Sequence, residues 1–474
     1  MLWFKKMDKI TPATLLELAA QSLVSNEDAA ICALEELPRD LFVPLFVAAF
    51  MGGRKKILKA MVRIWPFRCL HIGALSVREP HYEIWKAMID GLQTLPAQNS
   101  PIWGPKLRIL DLRQDADCRT TCSEIRTTLP FCFQSCVFSQ HSILKRQEAQ
   151  QGGRHIRTLT SNSEPRAPRE PMELLLDLSL DGSLQTRQFL SFLRRKIEQS
   201  FGSLHLCCRD LQIDKMSDYK SILKFLDLVC IDHLGIDQAC LSEVTSLLDQ
   251  MIHLDSLSLS KIPFKSCKGK NFRNFLNNIR RMDNLQELSL SFFCLTNQLH
   301  KLLRVLPPQL DALYLSFCGL SSRDFIVLSQ SSQASNLRLL NLSNNQISWE
   351  VSESFQILLE KLSGTLRHLE INSCLMTDST LSVVIPALSR CSHLRVLSFA
   401  SNPISMPTLT NLLQHLTGLM ELKHVIYPIP VHCYEQWQFN GSLDQQKLVE
   451  VQAELKAMLE AVNRNDMHWA TCPE

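Results

Sequence analysis

From about residue 250 to residue 425 the chain repeats one arrangement of apolar and polar positions. Its clearest copies are Leu310-x-x-Leu313-x-Leu315-x-x-Cys318-x-Leu320, Leu337-x-x-Leu340-x-Leu342-x-x-Asn345-x-Ile347, Leu366-x-x-Leu369-x-Ile371-x-x-Cys374-x-Met376 and Leu394-x-x-Leu397-x-Phe399-x-x-Asn402-x-Ile404. Looser copies precede them at Leu254, Leu257 and Leu259 and at Leu285, Leu288 and Leu290, and a degenerate one follows at Leu419 and Leu422. The first leucines of successive copies lie 25 to 31 residues apart. Alternating leucines predict a short strand. Between the motifs, Phe355 to Leu362 and Leu381 to Leu388 carry apolar residues at helical spacing, the second after Asp378-Ser379-Thr380, which are good N-cap types. Each unit therefore reads strand, turn, helix.

A period of this length with this motif is the leucine-rich-repeat signature. The predicted fold class is α/β, a leucine-rich-repeat solenoid or horseshoe preceded by an N-terminal helical segment. One unit cannot bury its own apolar face, so stacking creates the core. The asparagine or cysteine of the motif is placed to satisfy backbone groups in the turn of a neighbouring unit. Residues between the leucines face out along the concave sheet, where Tyr314, Ser316, Phe317, Leu339, Asn341, Asn344, His368, Glu370, Asn372, Val396 and Ser398 form a mixed surface suited to a protein partner. Earlier fragments of the same flavour, Leu107 to Leu112 and Leu204 to Cys208, suggest that the array begins upstream. Gln147 to Pro171 is polar, contains Pro and Gly and is locally basic, and reads as an insertion. The resulting division is 1–100 helical, 101–140 a first repeat-like strand with a cysteine-containing segment, 141–172 insertion, 173–430 repeat array and 431–474 a C-terminal cap that includes the helical pattern Gln445 to Asn463.

The N-terminal segment opens with an amphipathic pattern, Pro12 to Leu23, with Thr11 as the expected N-cap. Leu15, Ala19 and Leu23 fall at i, i+4 and i+8, a large-small-large stripe suited to a partner's groove. Thr14, Leu15, Ala19 and Leu23 approximate the elongin-C-binding box, T/S-L-x-x-x-C-x-x-x-(A/I/L/V), with alanine in the cysteine position. Leu37, Pro38 and Leu41 then match the apolar-Pro-x-x-apolar element by which such adaptors choose cullin-2. The competing reading is that Leu15, Leu23 and Leu41 bury themselves against the first repeats.

Composition narrows the function. The 474 residues are 45% hydrophobic and 20% charged, ordinary globular usage. A net charge of +3 is too small to predict nucleic-acid binding. Only 15 glycines are present, and neither H-E-x-x-H, G-x-S-x-G nor a phosphate-cradling loop occurs, so no enzyme and no small-molecule substrate is expected. The opening residues lack the apolar core of a signal peptide, and no window approaches the ~18 apolar residues of a membrane span. The 17 cysteines lie largely in apolar runs, which suits reduced thiols in cytosol or nucleus. Cys118, Cys122, Cys132 and Cys136 with His141 could ligate zinc, but the C-x-x-x-C spacing and the apolar neighbours favour buried thiols, and no metal or cofactor is expected. Leu409-Thr410-Asn411-Leu412-Leu413 matches the L-x-x-L-L nuclear-receptor motif, yet its leucines are needed for the core of a repeat.

Leu16 to Ala19, Ala33 to Phe42, Pro44 to Phe50, Leu58 to Val62, Trp65-Pro66-Phe67, Leu107 to Arg113, the repeats, Leu416 to Leu419 and Val425 to Pro428 together resemble the PRAME family (preferentially expressed antigen in melanoma and its oogenesin relatives). That resemblance implies a substrate receptor of a cullin-2, elongin-B/C ubiquitin ligase, non-catalytic, directing a target to proteasomal degradation. It places Leu15, Ala19 and Leu23 on elongin C and Leu37, Pro38 and Leu41 on the cullin. It also implies an alternative, a transcriptional co-repressor or scaffold of germ cells and early embryo, linked to retinoid receptor signalling.

Overall fold

The computed structural model describes residues 14–72, 75, 82–92, 106–113, 171–218, 222–434 and 442–471. The chain divides into two compact units: Met1–Gln212 with Asp218–Ile231, and Ile213–Ser217 with Asp232–Glu474. The cysteine cluster Cys118 to Cys136 with His141, and the insertion from Gln147 to Glu170, lie outside the described residues.

The first unit opens with helices α1 (Leu15–Ser25), α2 (Glu27–Ala33), α3 (Arg39–Met51) and α4 (Lys55–Arg63). Helix α1 starts three residues later than the pattern Pro12 to Leu23 suggested. Thr14 is the N-cap: its hydroxyl accepts from Glu17 N at 3.2 Å while Glu17 Oε2 accepts from Thr14 N at 2.8 Å. This reciprocal box satisfies two donors that a helix start leaves open, which fixes the boundary there. Ala20 and Val24 are its buried residues, and it packs on α3. Around Trp65 the rings of Phe42, Phe46 and Phe67 stand edge-on at 5.3 to 6.2 Å, and the indole N–H donates to Cys69 O at 3.0 Å. That contact places a large apolar surface without orphaning its polar atom.

Four parallel strands follow, β1 (Cys69–His71), β2 (Ile109–Asp111), β3 (Met172–Leu175) and, beyond a short β4 (Leu178–Leu180), β5 (Leu204–Cys207), in the order β1-β2-β3-β5. Helices α5 (Tyr82–Gly91) and α6 (Leu184–Gln199) punctuate them. Gly91 is required where α5 meets α4, because a Cβ there would collide with the Lys59 carbonyl. Leu70, Leu110, Leu174 and Leu206 form one buried row across the sheet. Both strand-like fragments read from the sequence, Leu107 to Leu112 and Leu204 to Cys208, are strands of this sheet. The opposite face carries polar groups: His71 Nδ1 lies 3.0 Å from Asp111 Oδ2, and the Arg113 guanidinium donates twice to the same carboxylate at 2.7 and 2.8 Å. The bidentate bond and the imidazole hold the Asp111 carboxyl far below the usual carboxylate range although it is buried.

After β6 (Asp210–Lys215), the second unit repeats strand and helix: β7 (His233–Gln238), α7 (Leu241–Leu248), β8 (Ser256–Ser260), α8 (Gly269–Ile279), β9 (Glu287–Ser291), α9 (Leu299–Leu303), β10 (Ala312–Ser316), α10 (Ser322–Gln330), β11 (Leu339–Asn341), α11 (Trp349–Leu362), β12 (His368–Glu370), α12 (Asp378–Leu388), β13 (Val396–Ser398), α13 (Met406–Leu416), β14 (His424–Tyr427), α14 (Gln445–Ala461) and β15 (His468–Thr471). Strands β7 to β15 lie side by side in chain order, each parallel to its neighbours. In register, Leu257, Leu288, Leu313, Leu340, Leu369, Leu397 and Val425 make a continuous buried row. Each such side chain contributes on the order of 1.5 to 3 kcal/mol by leaving water.

The turn residues behave as the motif predicts. Asn345 Nδ2 donates to Leu315 O at 2.6 Å and its Oδ1 accepts from Leu320 N at 3.2 Å. Asn402 donates to Ile371 O and accepts from both Cys374 N and Met376 N. Cys318 and Cys374 donate from Sγ to Leu290 O at 3.3 Å and to Leu342 O at 3.4 Å, and their backbone carbonyls accept from Leu295 N at 3.0 Å and Ile347 N at 2.9 Å. The segment expected to cap the array does more than that: α14 leads into β15, which pairs with β14 through His424↔His468 to Tyr427↔Thr471. The sheet thus runs to residue 471, past the boundary at 430 drawn from the leucine pattern, because His468-Trp469-Ala470-Thr471 carries no leucine to reveal it.

Candidate docking surfaces

Two surfaces stand out, one in each unit. The first is α1. Leu15 is 85% exposed, Leu16 49% and Leu18 51%, and Ala19 is exposed beside them. Leu23 is half-buried. The helix is anchored through Ala20 and Val24 and its leucine-rich side is turned to solvent, so the competing burial reading fails for Leu15. A well-capped helix presenting contiguous leucines to water marks an interaction surface. Of the second element, Pro38 is exposed at the N-cap of α3, while Leu37 and Leu41 are half-buried.

The second surface is the side of the β8 to β14 sheet opposite the leucine row. Tyr314, Leu339, His368, Glu370, Asn372 and Val396 are half-buried here, and Phe317 is 44% exposed. Hydrogen bonds organise the centre. Asn341 accepts from Ser316 Oγ at 3.1 Å and donates to Glu370, whose other oxygen lies 2.9 Å from His368 Nε2. Asn372 Oδ1 accepts from Ser398 Oγ at 2.7 Å and from Ala400 N at 2.8 Å. Asn341 and Ser398, read from the sequence as partner contacts, are consequently buried within this network, where they orient Glu370 and Asn372. Asn344 is half-buried in the turn after β11, at φ 60°, and donates its backbone N–H to Asn372 O at 2.8 Å.

One residue of this surface escaped the sequence reading. Phe292 stacks on Phe317 with ring centroids 4.2 Å apart and planes 11° apart, and it is 48% exposed. Both follow the last strand residue of adjacent repeats, Ser291 and Ser316, in the left-handed region at φ 50° and 54°. Aligning Leu288-Ser289-Leu290-Ser291-Phe292 with Leu313-Tyr314-Leu315-Ser316-Phe317 gives the signal that could have found it. The L-x-x-L-L match, by contrast, is structural: Leu409, Leu412 and Leu413 are buried in α13.

An array of parallel strands in chain order, each followed by a helix and a turn closed by asparagine or cysteine, defines a protein of the leucine-rich-repeat type. Residues 12–118 match the PRAME N-terminal domain and residues 172–474 the PRAME C-terminal domain, so the chain belongs to the PRAME family. It is 32% identical to human PRAME family member 8 over 94% of this chain and 91% of that one. Human PRAME family member 12 is 33% identical, covering 94% and 90%. Bovine leucine-rich repeat-containing protein 14 is 32% identical over 97% of both chains. Membership points to a non-enzymatic protein of the leucine-rich-repeat type. Among the described residues no helix is long and apolar enough to cross a membrane.

Proposed function

We propose that the chain is a substrate-recognition adaptor of a cullin-2, elongin-B/C ubiquitin ligase: α1 docks elongin C, Leu37, Pro38 and Leu41 face the cullin, and the sheet face of the second unit holds a protein destined for proteasomal degradation. The reading rests chiefly on the exposure of Leu15, Leu16, Leu18 and Ala19 on a capped helix, at the place where the sequence approximates an elongin-C box. Helix-in-groove recognition takes this kind of stripe, with the small Ala19 allowing close approach. An adaptor of this kind supplies no chemistry; it raises the effective concentration of target near the ligase machinery. Family membership supports the same reading.

The test is co-elution of purified chain with elongin B/C and cullin-2. The wild type is expected to form the complex, and Leu15→Asp with Ala19→Asp to abolish it without lowering Tm, since both positions are exposed. Wild type that elutes alone, or a variant that still assembles, overturns the adaptor role and leaves a scaffold or co-repressor that uses the repeats by themselves.

A further inference from the structure

On the polar side of the first unit's sheet, β3 and β5 place Glu173 beside His205 in register, with Cys207 two residues further along the same face. Against them lies the segment that follows β6. Asp227 begins a tight turn there, its Oδ1 accepting from Val229 N at 3.2 Å, and Cys230 closes the turn with its N–H on Asp227 O at 3.1 Å. The side chains converge. Glu173 Oε2 is 2.7 Å from His205 Nδ1, and Asp227 Oδ2 is 3.0 Å from His205 Nε2. Ligand atoms of His205, Asp227 and Cys230 all lie within 4.8 Å of one another. The buried Cys207 thiol lies beside that of Cys230, outside the three atoms that converge.

The imidazole decides the chemistry. With Nδ1–H donated to Glu173, a neutral ring turns its Nε2 lone pair toward a carboxylate oxygen, acceptor facing acceptor. Such a pair needs a positive charge between or on it, either a second proton or a metal ion. The Cys230 thiol at the same point favours the metal. A thiolate, an imidazole and one carboxylate are a donor set that borderline-soft Zn(II) takes in tetrahedral geometry with water in the fourth position, and a histidine whose other nitrogen is held by a carboxylate is the usual way a zinc ligand is oriented.

We propose that His205 Nε2, Asp227 and Cys230 hold a Zn(II) ion, with water in the fourth position and Glu173 as the outer carboxylate that sets the histidine tautomer. The ion ties residues 227–230 to β5. All three ligands belong to the first unit, and the site is independent of the ligase reading.

Native mass spectrometry of the full chain, purified without chelator, is expected to show one zinc. Because Cys118, Cys122, Cys132 and Cys136 could bind the same ion, the measurement is repeated with all four changed to Ser: zinc stays. Cys230→Ser and His205→Gln are expected to lose it. Should those variants not fold, Co(II) exchanged into the four-serine protein reports directly through thiolate charge-transfer and tetrahedral ligand-field bands. Zinc-free protein that takes up neither Zn(II) nor Co(II), zinc that disappears with the four serines, or zinc retained by Cys230→Ser and His205→Gln each overturns the site; the first outcome leaves His205 as an imidazolium bridging two carboxylates.

Discussion

At the scale of single residues, the polar side of the first unit's sheet is where charge and burial compete most sharply. Asp177 is pushed up to about 6 by burial, with Asp210 and Asp111 adding repulsion, while Arg113 and the backbone N–H of Asp210 pull the other way and lose. Because the folded-state pKa exceeds the unfolded value, the carboxyl favours folding below about pH 4, and that contribution disappears as pH rises through about 6. Asp177→Asn, which keeps an acceptor for Asp210 N, is therefore expected to stabilise the protein at pH 7.5 by on the order of 2 kcal/mol. The gain should vanish at pH 4; equal denaturation midpoints for variant and wild type at both pH values would contradict it. None of this was legible beforehand. Asp111 ends β2 and Arg113 follows it, Asp177 links β3 to β4 and Asp210 opens β6, and only folding makes these segments neighbours. Glu173, His205, Asp227 and Cys230 were hidden for the same reason, whereas Asn345 and Asn402 could be assigned a role in advance because one motif position always meets the same turn.

At the scale of elements, the leucine rhythm foretold the strands and their order, since a parallel repeat needs no partner search: each strand pairs with its successors in the chain. Helix starts were less visible. The Thr14 and Glu17 box outranked the Thr11-Pro12 signal, and α12 begins at Asp378 with Thr377 as its N-cap instead of using Asp378 to Thr380 as the cap. Exposure could not be read at all, because Leu15 and Val24 look alike in a hydropathy pattern and only packing on α3 separates them. The Phe292 and Phe317 stack belongs to this scale, being made by equivalent positions of two adjacent repeats. Aromatic anchors of this sort commonly dominate binding. Changing both to Ala is expected to weaken capture of the target by about 2 kcal/mol while leaving Tm nearly unchanged, because both rings are half in water; unchanged affinity in a pull-down titration would remove the stack from the interface.

For the whole molecule, the two surfaces sit in different units and are built by different physics, one a single helix and the other seven or more strands held in register. The leucine-rich core was predictable as a class of fold, and membership in the PRAME family agrees with it. The joints between repeats differ in kind, and the difference follows the chain. The side chains of Asn345 and Asn402 each give and take hydrogen bonds across a joint, whereas at Cys318 and Cys374 the thiol gives and the backbone carbonyl takes, from Leu295 N at 3.0 Å and Ile347 N at 2.9 Å. Both kinds of joint are closed in both directions, but only the asparagine kind depends on a side chain to accept. Asn345→Ala is therefore expected to open the Leu320 amide to native-state hydrogen exchange, whereas Cys374→Ala should leave the Ile347 amide protected, because its acceptor is backbone; equal loss of protection in the two variants would contradict this. Along such a solenoid substitution is tolerated unequally: a turn cysteine can be exchanged without unlatching its neighbour, and a turn asparagine cannot.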